Sequence, residues 1–299
     1  MLTDDWQLTE DIDVFLAHTG DFLRSRPALH NTPLTDIEKL RVSGTGAQAE
    51  AAVFGWFASQ GEVRAIFYRT PRGRLGLTPL SASQADGLAA RLTRQGHLPV
   101  NVIADHDTAT VFARAWQQRT GAVSEIFWRT HLYRLGTLTP PQPRPEGQGR
   151  IADGTDHEQV VRWCREFCVD VKEQSSIDLI DAGRWVDSRF GDRHFTFWHT
   201  SDGTPVSMAA TTSLVGGMIR LDPVYTPSHL RGRGFAGAVT AEASRAALAA
   251  GATDVVLFTD PDNPTSNALY QRLGYIHVGD FAGYRFSYTG PDTPSASQP

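Results

Sequence analysis

A loop with two glycines joins a strand-like run to a helical run in the C-terminal half of the chain. The strand-like run ends at Pro227, and an amphipathic run follows from Ala238 to Ala250. Between them the loop reads Arg231-Gly232-Arg233-Gly234-Phe235-Ala236. Glycines at such a passage let the backbone turn tightly and leave successive N–H groups uncovered at a helix N-terminus, which carries partial positive charge. The sequence therefore predicts a tight turn from a strand into a helix at this loop, with a cradle for a pyrophosphate group at the start of the helix.

The spacing of the loop does not match two common phosphate-binding patterns. A dinucleotide-binding loop reads G-x-G-x-x-G early in a βαβ unit, and a nucleoside triphosphate loop reads G-x-x-x-x-G-K-[ST]. Neither pattern occurs at this loop. The spacing Gly44-x-Gly46-x-x-Ala49 resembles the first pattern, but it precedes its strand instead of following one, so we interpret it as an ordinary loop.

A second motif follows downstream. The run Asp254 to Thr259 has the β-branched and aromatic content of a buried strand, and the motif after it extends from Asp262 to Tyr275. Pro264 suits the first turn of a helix, and Gly274 is placed to end that helix in the left-handed conformation. The sequence thus predicts a strand and a short helix after the helix that begins at the glycine loop.

In this order the two motifs resemble the signatures of the GNAT superfamily of acyl-CoA N-acyltransferases. Arg231-x-x-Gly234-x-Ala236 matches R/Q-x-x-G-x-G/A, and the segment 263–275 is similar to N-x-x-A/S-x-x-L-Y-x-x-x-G-F/Y. The resemblance covers roughly residues 150 to 288. It implies an N-acetyltransferase that uses acetyl-CoA as cosubstrate and needs no metal.

The resemblance also implies roles for single residues. The pyrophosphate of acetyl-CoA would be held by Arg231, Gly232, Arg233, Gly234, Phe235 and Ala236. The strand before the loop would splay from its neighbour and offer backbone N–H groups to the thioester carbonyl and the pantetheine arm, which assigns Val224, Tyr225 and Thr226 to the cofactor. Tyr270 matches the tyrosine that protonates the departing thiolate. Asn263 matches a residue that hydrogen-bonds the pantetheine arm or a water molecule.

Two of these assignments have alternatives, and so does the choice of the general base. Tyr270 is also explained as a half-buried aromatic residue that packs on its helix, and Asn263 has the sequence context of a helix cap. Asp222 is the candidate general base, because it lies two residues before Val224 and so projects to the same face of the strand. It is equally explained as a site for a cationic amine or as an ion-pair partner of Arg220, and the resemblance also allows a chain of water molecules in place of one base.

The order of elements predicts an α/β (α+β) fold with two GNAT-like domains, each a mixed, mostly antiparallel sheet flanked by helices. After residue 150 the patterns read strand, two helices, three strands, cofactor loop and helix, strand, helix and strand. The N-terminal half repeats this order, but the run Ser81 to Asp86 stands in place of the glycine loop. Trp116 falls near the position of Tyr270 and offers no phenol. We therefore expect a degenerate first domain without a cofactor site.

Composition places the boundaries between the two halves. A chain of 299 residues exceeds the usual size of one domain. We predict a degenerate GNAT-like domain at 1–136, a catalytic domain at 150–289 and a disordered tail at 290–299. The segment 137–149 concentrates proline, glycine and polar residues without apolar periodicity, so it is interpreted as a semi-rigid linker.

Charge and cysteine content exclude several classes of protein. A formal net charge of −5 argues against general nucleic-acid binding. No apolar run has the length needed to cross a bilayer, and the N-terminus is polar and acidic, so we expect a cytoplasmic protein without membrane partners. Cys164 and Cys168 are too few for a structural zinc site and are predicted to be buried thiols.

The resemblance implies a small-molecule amine or a peptide amine as acceptor. By resemblance its pocket is formed around Phe167 to Ser188, where acidic residues outnumber basic ones. These are Asp170, Glu173, Asp178, Asp181 and Asp187. Such a cluster suits a cationic amine, although an acidic chain needs no special cause for it.

Three hypotheses stay open: an N-acetyltransferase for small amines, one for protein N-termini or lysines, and a carrier-directed or non-catalytic module that binds a pantetheine arm. The acyl group beyond acetyl and the oligomeric state are open too, with a homodimer as one alternative.

Overall fold

The computed structural model describes residues 5–43 and 51–288. The loop expected from Gly44 to Ala49 and the tail predicted at 290–299 lie outside these residues. Apart from short 3₁₀ turns, the described chain follows the order strand, two helices, three strands, helix, strand, helix and strand, and this order occurs twice.

The first series consists of β1 (Asp5–Thr9), α1 (Ile12–Ser25), α2 (Asn31–Ser43), β2 (Val53–Ser59), β3 (Glu62–Arg69), β4 (Arg74–Leu77), α3 (Ala82–Arg94), β5 (Asn101–Asp105), α4 (His106–Thr120) and β6 (Val123–Leu135). The second series consists of β7 (Gln148–Ile151), α5 (His157–Asp170), α6 (Gln174–Asp181), β8 (His194–His199), β9 (Pro205–Thr211), β10 (Met218–Tyr225), α7 (Phe235–Ala249), β11 (Asp254–Thr259), α8 (Pro264–Arg272) and β12 (Tyr275–Ser287). The predicted order of elements is confirmed in both halves. None of the helices in the part described is long and apolar enough to cross a membrane.

The described residues form two compact units. Unit 1 contains the described part of residues 5–132 together with 278–288, and unit 2 contains residues 133–277. The division falls within β6 and β12, so the last strand belongs to unit 1 from Val278 onward. The domain boundaries predicted from the sequence, 1–136 and 150–289, divide the chain once along its length, whereas the spatial grouping assigns the last strand to unit 1. The predicted boundaries stay a prediction.

In unit 1 the strands lie in the order β1, β2, β3, β4, β5 and β12. Only β4 and β5 pair in parallel, and the other neighbours are antiparallel. Helices α3 and α4 pack on this sheet through a core that includes Leu88, Phe112 and Trp116. Trp116 is fully buried, and its Nε1 donates to Tyr288 Oη at 3.1 Å, so it serves the core of unit 1.

The start of α3 is closed by its own side chains. Ser81 Oγ accepts from the Gln84 backbone N–H at 3.2 Å, and Gln84 Oε1 accepts from the Ser81 backbone N–H at 2.8 Å. These reciprocal bonds form a capping box, which satisfies N–H groups that an anion would otherwise bind. The start of α3 therefore lacks the open N–H groups that a phosphate cradle needs.

In unit 2 the strands lie in the order β7, β8, β9, β10 and β11, and only β10 and β11 pair in parallel. One face packs against α7 and α8, and the other against α5 and α6. Because successive side chains of a strand point to opposite faces, the neighbouring Ala209 and Ala210 lie in different cores. Cys164 and Cys168 are free and fully buried on the α5 face, which confirms the prediction of core thiols. Burial raises the pKa of the Cys168 thiol to about 12.

Candidate functional site

Strand β10 leaves its parallel neighbour before it ends. Pairing with β11 extends to Leu221 and Leu257, whereas pairing with β9 continues to Tyr225. The register with β9 shifts after Leu221, next to Pro223, which has no N–H to donate. The backbone from Asp222 to Tyr225 therefore has one edge that faces a gap instead of a strand.

The loop after β10 places backbone N–H groups at the start of α7. Gly232 and Gly234 have φ values of 76° and 82°, in the left-handed region that glycine adopts without steric cost. Gly234 is the N-cap of α7, and no side chain of the described residues caps this end. Because the first N–H groups of a helix lack internal partners and carry partial positive charge, the segment from Gly232 to Ala236 has the geometry of an anion cradle.

The two arginines of this loop have different surroundings. Arg231 Nε donates to the Thr226 carbonyl at 2.9 Å, and its Nη2 lies 2.5 Å from Asp170 Oδ2. Arg233 makes a long contact of 3.5 Å to the carbonyl of His229, and no carboxylate of the described residues pairs with it. Arg231 therefore fixes the loop against the end of β10, while Arg233 leaves its charge at the cradle.

Hydrogen bonds on the α5 face hold the end of β10. Tyr225 Oη donates to Glu166 Oε2 at 2.8 Å, and burial together with this bond raises the pKa of Tyr225. Ser207 Oγ donates to the Tyr225 carbonyl at 3.0 Å and lies 2.8 Å from Thr226 Oγ1. A cleft of about 780 Å³ opens beside them, between α5 and residues 227–230. The Tyr225 side chain therefore anchors α5, and its carbonyl is held by Ser207 on β9.

Tyr270 lies on α8 and is 8% exposed. Its ring packs edge to face on Tyr275, with 6.0 Å between ring centroids, and its hydroxyl has no hydrogen-bond partner among the described residues. Burial raises the pKa of Tyr270, and the negative charge of Asp222 raises it further. The phenol is therefore protonated at neutral pH.

Asn263 is the N-cap of the same helix. Its Oδ1 accepts from the Ser266 backbone N–H at 3.0 Å, and Pro264 follows in the first turn. Asn263 therefore acts as a helix cap, and its part in binding a cofactor stays a prediction.

Asp222 lies near Arg189 and Arg193, two arginines that sequence patterns did not indicate as its partners. Arg189, in the loop before β8, pairs with Asp222 and also with Glu173, the latter at 2.9 Å. Arg193 Nη2 lies 4.0 Å from Asp222 Oδ2. Burial acts to raise the pKa of Asp222, but the arginines outweigh it and lower the pKa. Because a general base works best with a pKa near the operating pH, this carboxylate is better suited to remain ionised beside Tyr270.

The acidic residues expected to border the acceptor all have polar partners. The pairs are Asp170 with Arg231, Glu173 with Arg189, Asp178 with Gln174, Asp181 with Arg165, and Asp187 with Arg184. Four of the five are ion pairs, so the segment carries much less uncompensated negative charge than its composition indicates. Internal pairing, without a cationic ligand, accounts for this cluster.

We expect Asp222→Asn to lower the free energy of unfolding at pH 7 by about 2 kcal/mol, because the partly buried Arg189 and Arg193 lose the charge that balances them. The value is below that of a fully buried pair, since the Asp222 side chain is 24% exposed. The pKa of Asp222 is lower in the folded chain than its ordinary 3.8. The advantage of the wild type is therefore complete above that ordinary value and is lost as pH falls through the folded-state pKa.

Denaturant unfolding of both proteins from neutral pH to about pH 3 measures this difference. An advantage that stays constant on acidification would contradict the ion-pair account of Asp222. Asp178→Asn is the matched control, because its partner Gln174 is uncharged and no buried arginine depends on it.

Comparison with known proteins gives a family match within unit 2. Residues 158–275 match the family model described as Acetyltransferase (GNAT) family. No curated protein matches the chain.

Solved structures share the fold over most of the chain. A GCN5-related N-acetyltransferase from Sphaerobacter thermophilus is 18% identical, with a TM-score of 0.55 over 98% of this chain and 99% of that chain. A GCN5-related N-acetyltransferase from Kribbella flavida is 16% identical, with a TM-score of 0.51 over 86% of this chain and 96% of that chain. A tandem GNAT protein from the clavulanic acid biosynthesis pathway is 14% identical, with a TM-score of 0.52 over 96% of this chain and 100% of that chain. At these identities the likeness concerns the fold, and it confirms the predicted fold class and its tandem arrangement.

Proposed function

Because residues 158–275 match the model of the acetyltransferase (GNAT) family, we propose that the protein transfers an acetyl group from acetyl-CoA to a primary amine by direct attack. One observation carries the proposal: unit 2 combines a strand that leaves its neighbour, an uncapped helix start behind two left-handed glycines, and a largely buried tyrosine whose hydroxyl has no partner among the described residues. The corresponding helix start in unit 1 is capped by Ser81, so we propose one active site in the chain.

The donors around the loop suit the pyrophosphate of acetyl-CoA. The N–H groups from Gly232 to Ala236 supply partial positive charge, and Arg233 adds a full charge that no carboxylate within residues 5–43 and 51–288 neutralises. A Cβ built on Gly232 would meet no atom within 4 Å, so the backbone is open to a ligand there. In this proposal Arg231 contributes by holding the loop in shape through the Thr226 carbonyl.

When bound, acetyl-CoA supplies a thioester carbonyl for attack and a thiolate as leaving group. Backbone N–H groups of Val224 and Tyr225 donate to the carbonyl oxygen, where negative charge develops. Thr226 and Asn263 border the pantetheine arm. Tyr270 gives its Oη proton to the departing sulfur, and its burial keeps that proton in place until it is needed.

In this proposal Asp222 acts by its charge. The carboxylate keeps the Tyr270 proton bound and faces the amine as a counter-ion, while Arg189 holds it ionised. The proton of the incoming ammonium group then leaves through water, since the lowered pKa of Asp222 makes it a weak base.

We also propose that the acceptor is a small-molecule or peptide amine and that the protein acts in the cytoplasm. The two free thiols of unit 2 support a reducing compartment.

Thiol release tests the function. The full chain is incubated with acetyl-CoA and a panel of small amines, amino acids and peptides with free N-termini or lysines. We expect thiol release that depends on at least one amine, with the acetyl group found on that amine by mass spectrometry. The class of amine that responds separates small-molecule from protein acetylation.

Two other outcomes contradict the proposal in different ways. If acetyl-CoA raises the melting temperature but no amine releases thiol, the chain is a non-catalytic or carrier-directed module. If acetyl-CoA does not bind at all, the cradle assignment is wrong.

A further inference from the structure

The proline-rich segment between β6 and β7 is packed on unit 2. Near its start, the Thr139 backbone N–H donates to the Leu273 carbonyl at the end of α8, at 2.9 Å. Near its end, Trp198 Nε1 on β8 donates to the Glu146 carbonyl at 3.0 Å. We call residues 139–146 the proline strap, because this stretch of the predicted linker is fixed at both ends.

The strap passes the start of α7. A Cβ built on Gly234 would lie 3.7 Å from Pro145 Cγ, and one built on Gly237 would lie 3.8 Å from Pro141. Pro145 therefore lies beside the last glycine of the cradle, and Pro141 lies beside the first turn of α7. Because proline fixes φ, the strap keeps this position with little conformational freedom.

Arg144 stands next to this contact. Its guanidinium lies over the ring of Trp198, 5.1 Å from the centroid, and no carboxylate of the described residues pairs with it. A cation held on an aromatic face keeps its N–H edges available to an acceptor. Arg144 is the residue before Pro145, the proline beside Gly234.

Two cations without a carboxylate partner among the described residues thus belong to this region: Arg233 in the loop itself, and Arg144 next to the proline that lies beside Gly234. Arg231, the third arginine near it, is already neutralised by Asp170. The backbone N–H groups and Arg233 account for a pyrophosphate, which leaves Arg144 without a function in the fold beyond its stacking on Trp198. A second phosphate group is the ligand chemistry that an exposed, oriented guanidinium recognises.

We propose that Arg144 is a further cofactor-binding residue that contacts the 3′-phosphate of the adenosine part of acetyl-CoA. The inference rests on the proposed function, because it requires the pyrophosphate at the start of α7. The 3′-phosphate is the remaining charged group of the cosubstrate, and the proline strap holds the Arg144 guanidinium on Trp198, one residue from the proline beside Gly234. The segment that joins the two halves of the sequence thereby contributes to the choice of cosubstrate.

Calorimetric titration of the full chain with CoA and with 3′-dephospho-CoA tests the inference. We expect the wild type to bind CoA about tenfold more tightly, the effect of one charge-assisted contact. Arg144→Gln should remove this preference by weakening CoA alone, and raised salt should reduce it in the wild type.

Arg245→Gln is the matched control, because it removes the same charge from α7 about three turns from the cradle. Arg245 pairs with Glu242 on the surface, and we expect its variant to keep the tenfold preference. A preference that survives Arg144→Gln, or a loss shared equally by both ligands, would overturn the role of Arg144. Failure of the wild type to bind either ligand would instead overturn the proposed function.

Discussion

Gly234→Asp is expected to abolish the stabilisation of the protein by acetyl-CoA. A carboxylate at this position would fill the cradle and repel the pyrophosphate, and an L-residue at a φ of 82° is strained by about 1–2 kcal/mol. Together these effects weaken binding by at least about 100-fold, since charge repulsion adds to the strain. A thermal melt with and without ligand measures it, because saturation at about 100 times the dissociation constant stabilises the wild type by about 2.7 kcal/mol.

Two further variants separate charge from strain. Gly251 follows the other end of α7 at a φ of 91° with no atom within 4 Å of an added Cβ, so Gly251→Asp carries the backbone cost without entering the cradle. We expect it to keep the full ligand-induced shift. Gly234→Ala fits beside Pro145 at 3.7 Å and should weaken binding by only about tenfold through strain. A full shift in Gly234→Asp would mean that the phosphate site lies elsewhere.

Tyr270→Phe is expected to lower kcat by about 100-fold and to leave the affinity for acetyl-CoA unchanged. The substitution removes the proton donor for the leaving thiolate but keeps the ring that packs on Tyr275. Steady-state kinetics with the best amine of the panel, together with calorimetry, gives both quantities. An acetyl thioester of a more acidic thiol should lose much less rate in the variant, because its thiolate leaves without protonation.

Tyr275→Phe is the control for this variant. Tyr275 is 2% exposed, and its hydroxyl lies 2.7 Å from Ser244 Oγ in the core behind Tyr270. Its loss should cost about 1 kcal/mol of stability and leave kcat intact. A Tyr270→Phe enzyme that turns over at the wild-type rate would remove Tyr270 from the chemistry.

The parts of the fold that the sequence predicts correctly are those that local patterns determine. The order of strands and helices follows from apolar periodicity, and the ends of α8 follow from Asn263, Pro264 and Gly274. The loop at Gly234 is recognisable because only glycine adopts its backbone conformation freely. The closed start of α3 is equally local, since Ser81 and Gln84 are three residues apart.

The parts that the sequence does not reveal depend on contacts between distant segments. Arg189 meets Asp222 across 33 positions, and no spacing rule selects it from the other arginines. The acidic residues after Phe167 are a cluster in composition, but Arg165 and Arg231 approach them from other elements. The stretch 137–149 has the composition of a semi-rigid linker, and only the folded chain brings Pro145 beside Gly234 and Pro141 beside Gly237.

The last strand of the chain is needed to complete the fold of unit 1. Ala282 and Phe286 of β12 are buried in the core of unit 1, and β12 covers the edge of β5. A ribosome makes these residues only after it has made all of unit 2. A nascent chain that has emerged as far as residue 136 therefore exposes apolar surface and a bare strand edge, and the half that is translated first is the half that completes its folding last.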